Sequence, residues 1–235
     1  MISVCIATYN GEGLIKTQLE SILPQLGKDD EIIISDDHST DKTREQILAF
    51  NDSRIRLVDG PSLGSPIPNF ENALRHAKGD YLFLSDQDDK WLPGKLADCM
   101  SVLSEGYECV VTDCIMTDNE WNVTAPSFFV HNHTHEGKLF NLLLRNGYLG
   151  GCMAFTRRLR DKALPFPKKL PMHDIWIGNL AAFFYDVKFL HKPCSYFRRN
   201  DKNVTDTGGV SKFTFYQKLQ FRWRMIKFLC QRINH

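Results

Sequence analysis

The chain has 235 residues, with 29 Lys and Arg against 28 Asp and Glu, a formal charge of +1, and 43% hydrophobic residues. That length buries a sizeable core in one α/β domain, and the near-neutral charge argues against a general nucleic-acid binder, whose footprint would be a large basic excess. Seven cysteines, an odd number with no CxxC pair, suit reduced thiols in a cytosolic protein and neither a disulfide scaffold nor a zinc ribbon.

The opening "MISVCIATYNGE" has no charged leader and too short an apolar run for a signal segment, so it reads as a first strand. No window approaches eighteen uninterrupted apolar residues, so no membrane span is expected. After the strand "ISVCIA", Ile15, Leu19, Ile22, Leu23 and Leu26 recur at helical spacing. "EIIIS" is a second strand, "TDKTREQILAF" a helix and "RIRLV" a third strand. Phe70, Ala73, Leu74 and Ala77 then mark a helix face ahead of the strand "YLFLS". Continuous apolar strands alternating with amphipathic helices predict an α/β fold, a mostly parallel Rossmann-like sheet flanked by helices. Such sheets bind ligands beyond the carboxyl ends of their strands. Here those ends are "TYN", "SDD" and "SDQDD", so polar groups from three strands converge on one edge.

From residue 107 the pattern loosens. It offers a strand in "YECVVTDCIM", an irregular stretch to 135, a helix near 136–146, a strand "GGCMAFT", a helix after "MHDIW", and two short strands near "VKFLH" and "CSYFRR". This half reads as an elaboration of the same domain, giving one unit over 1–210 and a basic, aromatic segment over 211–235.

"YLFLSDQDDKW" crowds Asp86, Asp88 and Asp89 at a strand end. Like charges 4 Å apart repel by about 1 kcal/mol in water and by several times that when partly buried. A hard divalent cation, completed by phosphate oxygens, would offset the repulsion; a solvated Asp-rich turn is the other reading.

"SVCIATYNGE", "EIIISDDHSTDKT", "NFENALRHAKGDYLFLSDQDDKW", "GGCMAFTRRL", "HDIW" and "YFRRNDKNVT", in this order over residues 1 to about 205, resemble the family 2 glycosyltransferases, most of all the rhamnosyltransferase-like subgroup of bacterial O-antigen and capsule synthesis. The resemblance implies a GT-A fold with a nucleotide-sugar half (1–105) and an acceptor half (106–210). It also implies a UDP- or dTDP-linked hexose donor, Mn²⁺ or Mg²⁺, and inverting transfer to a glycan or lipid-linked acceptor.

By position, it makes Asp88 the metal ligand and Asp86 the first acid of the DxD motif, near metal and ribose. Thr8, Tyr9, Asn10, Asp36, Asp37, Asn69 and Gln87 fall on the donor side. Asp174 becomes the base; Gly151, Cys152, His173 and Trp176 border the acceptor. Thr8 and Asp36 could equally be caps or turn residues, Asn69 a helix cap and Asp174 an N-cap; His173 could be structural and Trp176 core. Where the family places a histidine after its tyrosine-arginine pair, this chain has Asn200, a poorer metal ligand than imidazole, and Arg198 could bond the diphosphate instead.

Two rival readings remain: a sugar nucleotidyltransferase, for which "TYNGEG" lacks a Gly-rich loop with its basic residue, and a non-catalytic Mg-binding regulatory domain, which would leave "HDIW" and "GGCM" without a role. His131, His133 and His135 could share one face as a transition-metal site or simply form a surface loop. The tail, with six Lys and Arg and no acid, is an amphipathic helix for an anionic membrane surface or one packed on the domain. The implied location is cytoplasmic, peripheral at the inner face of the membrane.

Overall fold

The computed structural model describes residues 1–199 and 214–233. The first half runs β1 (Ile2–Thr8), α1 (Ile15–Ile22), β2 (Glu31–Asp36), α2 (Thr43–Leu48), β3 (Ile55–Asp59), α3 (Pro66–His76) and β4 (Tyr81–Asp86), as the periodicity requires. The second half adds β5 (Lys90–Trp91), α4 (Lys95–Ser104), β6 (Cys109–Thr117), β7 (Val123–Ala125), α5 (Phe128–His131), α6 (Lys138–Leu143) and β8 (Met153–Thr156). It closes with α7 (Arg157–Ala163), α8 (His173–Phe184), β9 (Val187–Arg198) and α9 (Phe215–Gln231).

One sheet joins both halves in the order β3-β2-β1-β4-β8-β6-β9-β5, with β7 on β6. Strands β1 to β4 are mutually parallel and β9 runs parallel to β6, while β8 is antiparallel to both β4 and β6. The longest ladders are thus parallel, and β8 and β5 add antiparallel pairs.

Period-2 side-chain alternation sorts the core onto two faces. Val4, Ile6, Ile32, Ile34 and Phe83 face α1, α2 and α4, whereas Cys5, Ile33, Leu82 and Leu84 face α3, α7, α8 and α9.

Two expected strands prove to be one. "VKFLH" and "CSYFRR" form the continuous β9, whose pairing with β6 slips between Thr112 and Asp113. Pro193, opposite Asp113, lacks the N–H a regular ladder needs, so the strand bulges there and continues. "GGCMAFT" is a strand only from Met153; Gly150–Cys152 is a single 3₁₀ turn. The α6 helix is shorter than the 136–146 expected.

Candidate active site

Strand register brings the polar ends together. Thr8 lies opposite Asp36 across β1 and β2, and Ala7 opposite Asp86 across β1 and β4. Immediately after β4, Gln87 reaches across to β1: its Oε1 accepts from the Thr8 hydroxyl (2.5 Å) and the Tyr9 amide (3.0 Å), and its Nε2 donates to the Tyr9 carbonyl (3.2 Å). Asn10 then turns the chain at φ 46° and holds the Thr40 amide on its Oδ1 at 2.9 Å. The Tyr9 ring is left half exposed at the rim.

Behind this rim the acids of β2 are spent internally. Asp36, fully buried, accepts from the Ser39 amide (3.0 Å), the Ser39 hydroxyl (2.5 Å) and Arg44 Nη1 (3.0 Å). Asp37 accepts from the Ser62 (2.6 Å) and Gly64 (2.8 Å) amides and so fixes the loop after β3. Asn69, also buried, donates to the Thr8 carbonyl at 3.2 Å. Asp36, Asp37 and Asn69 brace the loops at this strand edge, and all three are buried.

The 3₁₀ turn Gly150–Cys152 is wedged between two groups of acids. On one side a Cβ at Gly151 would stand 2.7 Å from Asp89 Oδ2 and 3.0 Å from Asp86 Oδ2, so only glycine lets these carboxylates approach the backbone. On the other, Asp174 in the first turn of α8 accepts from the Gly150 amide (3.2 Å) and the Ile175 amide (2.7 Å). Burial pushes Asp86 up to about 7, and the charges of Asp88 and Asp174 add to the rise. Burial also raises Asp174 to about 6 and carries Asp89 well above the usual carboxylate range. Two groups of acids with raised values thus meet at one turn, a clustering that marks a candidate functional site.

Two contacts hold the cluster from below. Asp89 accepts from the Arg198 amide at 3.2 Å, tying the turn after β4 to the end of β9. Lys95, 1% exposed, donates to the Gly151 carbonyl at 2.6 Å and sits 4.7 Å from the Trp91 ring centroid, where its charge lowers Asp86.

With this geometry in place, comparison with known proteins is decisive. The Glycosyl transferase family 2 model matches residues 3–164. The chain belongs to glycosyl transferase family 2. A relative, the Escherichia coli UDP-Glc:alpha-D-GlcNAc-diphosphoundecaprenol beta-1,3-glucosyltransferase WfgD, is 33% identical over 96 residues, covering 41% of this chain and 38% of its own length. The chain thus matches well under half of that relative. Staphylococcus aureus TarS 1–349 in complex with UDP-GlcNAc superposes with a TM-score of 0.69 at 18% identity, over 96% of this chain and 66% of that one. Pyrobaculum calidifontis mannosyltransferase PcManGT in complex with GDP-Man and Mn²⁺ gives 0.64 at 19% identity, over 100% and 64%. The fold of this family 2 chain is therefore the GT-A fold that its motifs implied.

For this family 2 chain the acid cluster also provides a test of metal fit. Among the described residues no three His, Cys, Asp or Glu side chains close a metal cage. The half-buried turn residue Asp88 with Asp86 presents hard oxygens, the donor set of an open Mg²⁺ or Mn²⁺ site that leaves positions for phosphate oxygens. Asp86 and Asp89 both close on Gly151, with Asp88 between them in sequence, and a cation would offset the repulsion of acids held so near one another. The residues fit.

The structure places the other candidates inside the protein. Trp176 takes the core alternative: it is fully buried, its Nε1 donates to the Ala163 carbonyl (3.0 Å), and its ring meets Phe228 edge-on. Cys152 is buried with its Sγ 3.7 Å from Ser195 Oγ. His173 is buried and stacked on Phe70 at 4.2 Å, and burial drives it down to about 3, so it stays neutral. Together with Gly151, these residues form the floor of the site and present no side chain at its surface. Arg198 lies 5.0 Å over the Trp121 ring. Asn200 falls outside the described residues. His131 ends α5 and is exposed, as is His133 beyond it, and His135 stacks on Phe140. Sequence reading passed over Lys95, although its spacing with buried Cys99, Val102 and Leu103 places a cation on an apolar helix face, which is itself a signal.

Proposed function

We propose that this family 2 chain transfers a hexosyl group, with inversion, from a UDP-linked donor, or a dTDP-linked one, to a hydroxyl of a growing lipid-linked bacterial surface glycan. The observation that carries the reading is the meeting of Asp86 and Asp174 on opposite sides of the Gly150–Cys152 turn. The names of the relatives support the donor class: one acts from UDP-Glc on a diphosphoundecaprenol-linked sugar, and a structural neighbour is bound to UDP-GlcNAc.

In this mechanism the Gln87-braced loop of Thr8, Tyr9 and Asn10 receives the nucleotide, with the exposed Tyr9 ring free to stack on the base. Asp88 and Asp86 would hold Mn²⁺ or Mg²⁺, which supplies charge neutralisation to the departing diphosphate. Asp174 takes the proton of the acceptor hydroxyl as its oxygen bonds to the anomeric carbon. The bond from that carbon to the phosphate oxygen breaks, and the nucleoside diphosphate leaves from the opposite face. The Gly150 and Ile175 amides fix the orientation of the Asp174 carboxylate, and its raised value makes it a better base than an ordinary Asp at neutral pH.

Thermal shift with UDP and Mn²⁺, followed by transfer assays, tests the reading. UDP with metal is expected to raise the melting temperature, because a ligand that binds only the native state stabilises it. Asp88→Asn should abolish that shift. Asp174→Asn should keep it while lowering transfer by about 10²- to 10⁴-fold, the span of general-base catalysis. Indifference to every nucleotide diphosphate with metal would overturn the proposal.

A further inference from the structure

Helix α9 starts from a complete capping box, in which Thr214 and Gln217 satisfy each other's backbone amides. Met225 and Leu229 are buried against the body, and Phe228 meets Trp176 of α8, the helix whose first turn carries Asp174. A second apolar stripe faces away from this contact. Tyr216, Leu219, Trp223 and Ile226 follow one another by three, four and three residues, which keeps them on one side of the helix. They are exposed by 69%, 44%, 64% and 41%. Towards the end of α9 the stripe runs into an apolar cavity of about 220 Å³ shared with Phe183 and Phe184. Leu139 and Leu143 of the adjoining α6 are exposed as well.

Charge indicates what covers this stripe. Arg224 lines a shallow groove with Tyr216, Leu219 and Trp223, and Lys227 lies 5.6 Å over the Trp223 ring, while Arg222 is turned to the body, its Nη2 donating to the Leu144 carbonyl at 3.0 Å. Residues 211–235 contain six Lys and Arg and no Asp or Glu, in a chain of net charge +1, so the other 210 residues are net negative. A tryptophan-centred apolar stripe flanked by cations is complementary to a surface that is anionic outside and apolar within. No described helix is long and apolar enough to cross a membrane.

We propose that the Tyr216–Ile226 stripe of α9 lies in the interface of an anionic lipid bilayer, with Arg224 and Lys227 against the headgroups. This reading is independent of the sugar transferred and of the acid cluster.

Co-sedimentation of the full chain with phosphatidylcholine vesicles, with and without phosphatidylglycerol, tests it. Binding is expected to the anionic vesicles only and to weaken as salt is raised. Each of Arg224→Gln and Lys227→Gln should weaken it by about fivefold, and Trp223→Glu by about tenfold or more. All three variants should keep the wild-type melting temperature and the UDP-dependent thermal shift. Equal binding to neutral vesicles, absence of binding, or indifference to Trp223→Glu would overturn the proposal. So would a dimer in analytical ultracentrifugation that Trp223→Glu dissociates, since the face would then join two copies of this chain. Loss of the UDP shift in the wild-type chain would count against the transferase reading alone and leave this surface standing.

Discussion

Lys95→Met isolates the charge beneath the acid cluster, because methionine keeps most of the buried stem and removes only the ammonium. Its Nζ gives a 2.6 Å hydrogen bond to the Gly151 carbonyl and lies 4.7 Å from the Trp91 ring. A hydrogen bond from a charged donor is worth about 1.5–3 kcal/mol, and a desolvated cation–π contact about 1–2 kcal/mol. Relief of the ammonium's desolvation opposes both, and loss of its field on Asp86 adds to them. Breaking a buried charge pair from one side costs about 3–5 kcal/mol, so a net loss of about 3 kcal/mol is expected in EDTA. For a chain of this size that lowers the melting temperature by roughly 6–12 °C.

The decisive arm of the assay is metal. A divalent ion among the same carboxylates takes over the neutralising role, so the deficit should narrow in Mn²⁺ with UDP. It should narrow too as pH falls and Asp86, already raised to about 7, takes up its proton. A melting temperature unchanged in EDTA would refute the argument that Lys95 balances the acids. An equal deficit with and without Mn²⁺ would show that lost packing is the cause.

Two further substitutions address the other side of the turn. Burial raises Asp174 from its ordinary value of 3.8 to about 6, so the folded chain holds that proton more tightly than the unfolded one does. The stability tied to this group is therefore present below pH ~4 and lost as pH rises through about 6. Asp174→Asn cannot ionise, and chemical denaturation in EDTA should show it gaining roughly 3 kcal/mol on the wild type between those limits. The wild-type rate should fall below pH ~6 as the base protonates. Gly151→Ala would put a methyl 2.7 Å from Asp89 Oδ2 and 3.0 Å from Asp86 Oδ2, and is expected to abolish metal-dependent UDP stabilisation while the protein still melts cooperatively.

The first half of the fold was legible because β1, β2 and β4 are parallel and largely buried on both faces, which writes each as an almost unbroken apolar run between helical periods, while edge strand β3 is only partly buried. In the second half the strands in "YECVVTDCIM" and "GGCMAFT" and the helix after "MHDIW" were legible too, but their extents were not, because their partners lie far along the chain. Pro193 lies within the continuous β9 because a bulge absorbs the missing amide.

The same distinction runs through the site. Acid identity at strand ends is local, so the convergence of Thr8, Asp36 and Asp86 on one edge could be read from sequence. Which of their oxygens remain available is not local. Asp36 is consumed by Ser39 and Arg44, and Asp89 by the Arg198 amide more than a hundred residues away. Motif spacing also cannot separate a side chain that faces the ligand from one that supports the floor beneath it. Trp176, His173 and Cys152 share that segment order with Asp174, yet only the acid has backbone amides aiming its carboxylate back at the Gly150–Cys152 turn. The division follows from cost: burying the Trp176 ring with its Nε1 bonded is cheap, whereas a carboxylate raised to about 6 is retained where its charge is used.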